Sequence, residues 1–431
     1  MPKNDINQSS IKPNDGGNFM PGDADAANEP ILTTEDLGKL LGKPVSQASR
    51  RNLTAAGENY GSVMLAVDVV LETGEHEALV AKMFPKNEFA RKMFQSPLSM
   101  RKEIDMYLSV GPELERIQAE ASVPAAQRLR VLCGCPGARL SLEDHQAEDQ
   151  LADQDSVLLL ENLAVQGYRT GDRVAGLDLR HAECALQHLA RFHATAVAIR
   201  VKKPSVFQTK VLRALKPFKV IARTREDEEQ SKRTFLRKLR KIPICEKHID
   251  SLEQLFKKSM EERYSDYFPV PKEPFATILH NDFWTNNMMF KYGEDGKEPT
   301  DFKLVDFQTC RYGSPVPDII LFLFTSTQTG IVEEKLDHLL KFYHDCFLKW
   351  LEILGCDTKE FSFNRFVAEI NEYAPETLDF ILFMLRPITL TKEEAKQFTK
   401  GPNFDALEFN ENYTKRVSNV IDIFVQKGWI H

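Results

Sequence analysis

The sequence lacks the long apolar runs, paired cysteines and sorting segments that mark several protein classes. The longest apolar candidate, 319–324, is far shorter than the roughly 18–20 residues that cross a bilayer, so we expect no membrane span. No apolar stretch follows Lys3 and arginine is absent there, so we expect neither a secretory leader nor a mitochondrial transit peptide. The seven cysteines are scattered and odd in number, which indicates reduced thiols and a cytoplasmic protein.

Charge and spacing argue against two further kinds of site. A net charge of −7 argues against nucleic acid as the main partner. Cys133 and Cys135 form a close pair, but no second pair follows at the spacing of a zinc site. A single core stops growing near roughly 250–300 residues, so a chain of 431 residues predicts at least two lobes.

Local patterns near the start of the chain predict a tail, a helix and a strand pair. Residues 1–28 are polar and rich in turn-forming residues, which predicts a disordered tail. Residues 33–36 fit a capping box at the start of a short helix. Apolar residues alternate over 63–71, a turn follows, and 78–84 is predicted as the returning strand.

The next segment predicts a helix that carries a buried acid. Ser96 is predicted as its N-cap with Pro97 at the first helical position, and Gly111 with Pro112 as its end. Glu103 falls on the apolar face of this helix, which is shared by Met100, Ile104 and Tyr107.

Farther along, short strands precede two polar segments. Residues 156–160 read as a strand leading into Glu161, Asn162 and Leu163. Helical periodicity dominates from about 182, and the mixed charges of 202–241 favour a solvated helix pair. Residues 288–291 and 302–307 are predicted as two strands joined by a loop.

The polar residues around these last strands have the spacing of a phosphoryl-transfer site. His280-Asn281-Asp282 is followed after four residues by Asn287, and then by Asp306-Phe307-Gln308. The catalytic loop of protein kinases has the form H-R-D-x-x-x-x-N, followed by D-F-G. In this interpretation Asp282 accepts a proton from the acceptor hydroxyl, and Asn287 and Asp306 hold Mg²⁺ beside the phosphates of ATP.

Upstream residues complete the set in the expected order. Lys82 ends a V-A-K string similar to the strand lysine that contacts the α- and β-phosphates, and Glu103 is its predicted ion partner. Glu88 is the competing partner, but no clear apolar stripe carries it. The turn at 57–62, with Asn59, Tyr60 and Ser62, lies where a phosphate-covering loop belongs, although it is not a G-x-G-x-x-G. Glu161, Asn162 and Leu163 follow a strand, as a hinge that receives adenine would.

Two strings carry a family resemblance. LHNDFWTNNMMF and LVDFQTCRYGSPVPDIILFLFTS resemble the ecdysteroid kinase-like family of arthropods, which belongs with choline kinases and aminoglycoside phosphotransferases in the protein kinase-like superfamily. GENYGSVMLAVDVVL, LLLENLAVQGY and LARFHATAVA are similar to other landmarks of the family. The resemblance covers nearly the whole chain from about Thr33, and D-F-Q in place of D-F-G is typical of the family.

The resemblance implies an α+β, two-lobed protein kinase-like fold. A small antiparallel lobe would span 29–160 and a large, mainly helical lobe 161–431, with ATP and Mg²⁺ between them. The implied reaction transfers the γ-phosphate to a hydroxyl of a small-molecule alcohol, with ecdysteroids as the named substrates. By motif, Asp282 is the base, Asn287 and Asp306 are metal ligands, Lys82 holds phosphate, Glu103 orients Lys82, and the hinge at 161–163 receives adenine.

This chain departs from the family pattern at two positions, and other functions stay open. Asn281 stands where the family has glycine, and Asn162 where it has aspartate, so rate and substrate choice are open. The acceptor could instead be choline-like, a glycoside or a xenobiotic, or the protein could be an inactive pseudokinase. The pseudokinase is disfavoured because Lys82, Asp282, Asn287 and Asp306 all survive. Protein-kinase activity is disfavoured because no A-P-E motif follows Asp306.

Several residues near the motif have a structural interpretation beside a functional one. We expect His280 to support the loop through hydrogen bonds and His193 to be a satisfied core histidine. Asp318 is interpreted as a structural acid at a helix start that bonds the backbone of the catalytic loop. The apolar run 378–385 is interpreted as helix core, with a lipophilic acceptor pocket as the alternative.

Overall fold

The structure is a computed structural model. It describes residues 32–53, 62–143, 150–218, 224–257, 271–294, 296–391, 393–395, 405–406 and 408–431. The tail at 1–28, Asn59 and Tyr60 therefore lie outside the described residues. Within the described part of the chain, no helix is long and apolar enough to cross a membrane.

The small lobe is built on an antiparallel sheet of five strands in the order β1-β2-β3-β5-β4. The strands are β1 Val45–Asn52, β2 Val63–Leu71, β3 His76–Met83, β4 Gly137–Arg139 and β5 Val157–Glu161. One face packs a cluster that includes Leu65, Val67 and Leu79. The predicted strand pair is confirmed, with Leu65 opposite Ala81.

Helix α1, Thr34–Leu41, closes one side of this cluster with Leu37. Its predicted capping box is confirmed, because Thr33 and Asp36 exchange hydrogen bonds between side chain and backbone. Strand β1 was not predicted. Its sequence, VSQASRRN, has no apolar alternation because it is an edge strand whose residues are all exposed or partly exposed.

The helix that carries Glu103 differs from its prediction at both ends. Helix α3, Ser96–Asp105, follows the short α2, Glu88–Met93, and its N-cap is Gln95 rather than Ser96. Gly111 and Pro112 do not end it: a π-helical turn, Met106–Val110, leads directly into α4, Gly111–Glu120. Pro112 is tolerated because the turn before it has π-helical bonding, with the Gly111 N–H bonded to the Met106 carbonyl, and regular α-helical bonding begins again after it.

The large lobe is mainly helical. Its helices are α5 Leu179–Lys202, α6 Pro204–Val206, α7 Leu212–Ala214, α8 Arg225–Leu239, α9 Pro243–Lys247, α10 Ile249–Leu255, α11 Val316–Ser326, α12 Thr329–Ile353, α13 Phe363–Ile388 and α14 Glu411–Gln426. The solvated helix pair predicted for 202–241 is wrong in part, because Phe235, Leu236 and Leu239 of α8 are buried. In α13, Leu378, Ile381, Leu382 and Leu385 are core residues, in agreement with the helix-core interpretation.

Two small strand pairs carry the polar motifs. Strand β6, Thr277–Leu279, pairs with β9, Arg311–Gly313, and β7, Met288–Tyr292, pairs with β8, Pro299–Leu304. The predicted hairpin is confirmed, but its second strand is shorter than the predicted 302–307. It ends at Leu304 because Asp306 has a left-handed backbone with φ of 69°, and Phe307 begins a 3-10 turn.

Candidate active site

Lys82 of β3 forms the centre of a buried charge group between the lobes. Its ammonium lies 2.6 Å from a Glu103 oxygen and 2.9 Å from a carboxylate oxygen of Asp306. Lys82 is 4% exposed, and burial works to lower the pKa of its ammonium. The carboxylates of Asp306 and Glu103 outweigh burial and raise that pKa, so the lysine is held in its charged form.

Glu103 reaches Lys82 from the inward face of α3. Burial raises the pKa of its carboxyl, while the Lys82 charge opposes that shift. Its other oxygen accepts a hydrogen bond from the Phe307 N–H at 3.3 Å, so α3 is also joined to the Asp306 loop. Glu88, the competing partner in the sequence, instead forms an exposed pair with Lys92.

Asp282 and Asn287 are joined across the loop of residues 280–287, the candidate catalytic loop. The side-chain nitrogen of Asn287 donates to the Asp282 carboxylate at 2.7 Å and to the Asp282 carbonyl at 2.9 Å. Burial, and then the charge of Asp306, raise the pKa of Asp282 to about 7. A carboxyl with a pKa near neutral pH is well matched to proton transfer.

A buried carboxylate holds the catalytic loop from behind. Asp318 of α11 accepts hydrogen bonds from the backbone N–H groups of His280, at 2.7 Å, and Asn281, at 2.8 Å. The predicted structural interpretation of Asp318 is confirmed by these two bonds. His193 lies between Asp318, at 3.3 Å, and the hydroxyl of Tyr343, at 2.7 Å, so it is a bonded core histidine as expected.

The His280 side chain supports the same loop. Its Nε2 lies 3.1 Å from the carbonyl oxygen of Val305, so it links the catalytic loop to the segment before Asp306. The Thr309 hydroxyl donates to the His280 carbonyl at 2.9 Å. Burial lowers the pKa of His280, which favours the neutral ring in this structural position.

The structure explains why asparagine is accepted at position 281. Asn281 has a φ of 62°, in the left-handed region that glycine and asparagine adopt most readily. Its side-chain oxygen also accepts a hydrogen bond of 2.8 Å from Nε of Arg311. The side chain therefore points to Arg311 and adds a bond that glycine would lack.

The hinge offers backbone groups rather than side chains. The Glu161 carboxylate turns back and accepts a hydrogen bond from the Gly134 N–H at 3.1 Å. Asn162 is buried, and its side-chain oxygen accepts from the Ala164 N–H at 3.1 Å, as an aspartate would. Among the residues the structure describes, no hydrogen bond takes up the Leu163 N–H.

The structure thus gathers most of the residues that the sequence singles out. Lys82, Glu103 and Asp306 share one ion-pair group, Asp282 and Asn287 share one loop, and the charge of Asp306 acts on Asp282. Ser62 precedes β2, but its neighbours Asn59 and Tyr60 in the covering turn lie outside the described residues. Sequence reasoning did not find Arg311, which lies opposite Leu279 in the strand pair β6–β9, two residues before Asn281.

A sheet lobe and a helical lobe with these charges between them define a protein kinase-like phosphotransferase. The chain matches the model of the ecdysteroid kinase-like family over residues 56–356, which is more than half of its length. The chain therefore belongs to the ecdysteroid kinase-like family.

Solved structures similar to this chain include other phosphotransferases. One is the GDP complex of a point mutant of aminoglycoside 2'-phosphotransferase-IIIa, with 11% identity, coverage of 89% of this chain and 94% of that chain, and a TM-score of 0.36. Another is an ethanolamine kinase from Plasmodium vivax, with 11% identity, coverage of 89% and 84%, and a TM-score of 0.37. No curated protein sequence matches the chain.

Proposed function

We propose that this protein is an ATP- and Mg²⁺-dependent kinase that transfers the γ-phosphate to a hydroxyl of a small-molecule alcohol. An ecdysteroid or a similar hydroxylated steroid is the proposed acceptor, on the basis of family membership. The observation that carries the reaction class is the Lys82 ion-pair group, which lies within electrostatic range of Asp282 through Asp306.

The donor set around Asp306 fits a magnesium ion. Mg²⁺ prefers oxygen ligands, with one or two carboxylates completed by phosphate and water. The Asp306 carboxylate and the side-chain oxygen of Asn287 supply such ligands, since the Asn287 nitrogen is already used by Asp282. The Asp282 and Asp306 carboxylates are close enough to repel each other, so a divalent cation would offset their charge. Bound there, Mg²⁺ would supply charge neutralisation for the phosphate oxygens.

Phosphate binding, adenine binding and proton transfer are assigned to different residues of this chain. Lys82, fixed by Glu103, provides a permanent positive charge for the α- and β-phosphates. The Leu163 N–H donates to the adenine ring. Asp282 accepts the proton of the acceptor hydroxyl as that oxygen bonds to the γ-phosphorus and the bond to the β,γ-bridging oxygen breaks, so that ADP leaves. Catalysis then rests mainly on position and charge.

ATP consumption with Mg²⁺ tests this proposal. The full chain is supplied with hydroxylated sterols, choline-like alcohols and plant glycosides, alongside Asp282→Asn. We expect turnover on one class of acceptor and a loss of at least about 100-fold in the variant, because the general base is gone. Asp337→Asn is the matched control, since Asp337 is 81% exposed and pairs with Lys427. Failure of the wild-type protein to bind Mg·ATP would contradict the proposal.

A further inference from the structure

Trp284 lies two residues after Asp282 and differs from the other two tryptophans of the chain. The indole N–H groups of Trp350 and Trp429 each donate to a side-chain oxygen at 2.9 Å. The indole nitrogen of Trp284 is also enclosed by the protein, but among the described residues no hydrogen bond of regular geometry takes up its N–H. A buried donor without an acceptor is costly, so we expect an acceptor beside this N–H.

The backbone turns sharply around Trp284. The Trp284 N–H donates to the Asp282 carbonyl at 3.1 Å, which closes a three-residue turn centred on Phe283. The Trp284 carbonyl accepts a hydrogen bond of 2.9 Å from the Asn287 N–H, at the start of the 3-10 turn Thr285–Asn287. Trp284 is therefore bonded through its backbone to Asp282 on one side and to Asn287 on the other.

Buried neighbours hold this turn in place. Phe283 is fully buried, and its ring centre lies 5.2 Å from that of Phe322. Thr285 is 1% exposed, and its N–H donates to the Ser326 hydroxyl at 3.0 Å. Both neighbours of Trp284 are thus anchored to α11, whereas Trp284 itself is half-buried. Because the turn is fixed from both sides, the indole is kept close to the candidate base.

The polar group on which the indole acts is the Asp282 carboxylate. Burial, and then the charge of Asp306, raise the pKa of Asp282. Hydrogen bonding from the side chains of Asn287 and Trp284 opposes that rise. The Asn287 bond has regular geometry, at 2.7 Å, whereas the Trp284 contact does not. Catalytic hydrogen bonds are often long or poorly aligned before substrate binds and tighten in the complex.

We propose that Trp284 is a positioning residue for the general base, and that its indole N–H donates to the Asp282 carboxylate when the nucleotide and acceptor are bound. This inference rests on the kinase function proposed above. With Asn287 as the one donor, the plane of the carboxylate can still turn about its bond to the β-carbon. A second donor fixes that plane, so that one oxygen lone pair faces the acceptor hydroxyl as proton transfer requires.

Nuclear magnetic resonance tests the contact on the full chain. Protein labelled with ¹⁵N-tryptophan gives one indole N–H resonance for each of Trp284, Trp350 and Trp429, and single replacements by phenylalanine assign them. Spectra of the wild type and of Asp282→Asn are recorded with Mg²⁺ and a non-hydrolysable ATP analogue. A hydrogen bond to a carboxylate is shorter and about twice as strong as one to a neutral group, so we expect the Trp284 resonance to move upfield in Asp282→Asn. The other two resonances should stay in place.

Steady-state kinetics test what the contact does. Trp284→Phe removes the N–H and keeps an aromatic ring, and Trp429→Phe is the matched control because it removes the bond to Asn371 on α13. The substrates are Mg·ATP and 20-hydroxyecdysone, a polyhydroxylated steroid. In Trp284→Phe we expect kcat to fall about tenfold, as the loss of one hydrogen bond to a charged group would give. Both KM values should stay within about twofold, because the indole acts on the base and not on the substrates.

Two results would overturn the inference. One is a Trp284 resonance that is the same in the wild type and in Asp282→Asn. The other is a higher steroid KM in Trp284→Phe at unchanged kcat, because the ring would then act on the acceptor. A kcat that falls equally in Trp284→Phe and Trp429→Phe would count against a specific role in the same way.

The failure of this inference and that of the kinase function are distinguishable. A protein that binds Mg·ATP but shows no link between Trp284 and Asp282 loses the positioning role and keeps the kinase function. A protein that does not bind Mg·ATP loses the kinase function, and the positioning role falls with it. The spectra need no acceptor, so they decide the inference even where the steroid is not phosphorylated.

Discussion

Two buried lysines on neighbouring elements of this protein have opposite surroundings. Lys82 on β3 has a carboxylate on each side, at 2.6 and 2.9 Å. Lys102 on α3 has none within ion-pair distance among the described residues, and instead faces an aromatic ring. Both are almost fully buried, yet the pKa of Lys82 is raised and that of Lys102 is lowered to about 8.

The difference shows that burial alone does not identify what a lysine does. A buried cation with protein partners is part of a fixed framework, and its charge is already balanced when the nucleotide arrives. A buried cation without such partners raises the free energy of the folded state. The comparison thus separates a lysine inside the ion-pair group from one that no described carboxylate balances.

The largest expected effect comes from removing the paired lysine. In Lys82→Met, Glu103 would keep a buried charge without a partner, so we expect the free energy of unfolding to fall by about 3 kcal/mol. Activity should fall at least about 100-fold, because a fixed charge for the phosphates is lost. Chemical denaturation and ATP turnover measure the two effects. A stable, active Lys82→Met protein would contradict the framework role.

The same substitution at the unpaired lysine should act in the opposite direction on stability. In Lys102→Met a buried charge is replaced by an apolar chain of similar length, so we expect the free energy of unfolding to rise by about 3 kcal/mol at pH 7, following the size of the pKa shift. Denaturation midpoints compare it directly with Lys82→Met. Equal destabilisation by the two variants would break the comparison.

The two lysines should also differ in their pH dependence. The folded pKa of Lys102, about 8, lies below its ordinary value of 10.5, so between these values the unfolded chain binds more protons and stability rises with pH. The stability gained in Lys102→Met should therefore be full below pH 8 and shrink as pH approaches 10.5. Lys82 has a raised pKa, so its contribution is full below 10.5 and persists through this window. Denaturation at several pH values checks both trends.

The smallest effect is expected at Asn281, whose side-chain oxygen accepts a hydrogen bond from Arg311. In Asn281→Gly the left-handed backbone is kept and the bond to Arg311 is lost, so we expect kcat/KM to fall about three- to tenfold. Asn281→Ala should cost more, because alanine also strains the backbone at positive φ. Steady-state kinetics of the two variants test this expectation. Equal losses of kcat/KM would show that the left-handed backbone at position 281 does not affect activity.

Sequence patterns predict the surroundings of Lys82 better than those of Lys102. Lys82, Glu103, Asp282, Asn287 and Asp306 could be found in the sequence because their roles require a fixed order along the chain and short, recognisable strings. The helical stripe separated Glu103 from Glu88 correctly as the residue that contacts Lys82. Their catalytic and metal-binding roles stay predictions.

The electrostatic contact between Lys102 and Arg311 could not be predicted, because the two residues lie 209 positions apart and share no local pattern. Lys102 falls off the apolar stripe of α3, where a lysine is usually solvated, and only tertiary packing, which includes the Phe218 ring, buries it. The π-helical turn was missed for a related reason. Glycine and proline usually end a helix, and only packing shows that here the helix continues through them.

That continuous helix has a consequence for control of the protein. The segment from Ser96 to Glu120 forms one rod, roughly 35 Å long, with Glu103 in its first half and contacts to α5 of the large lobe in its second half. In protein kinases the position of the equivalent helix controls whether its glutamate meets the lysine. Here α3 cannot swing outward unless α4 leaves α5 or the π-helical turn breaks. The rod therefore holds α3 in place against the large lobe, and we expect the Lys82–Glu103 contact to persist with or without nucleotide.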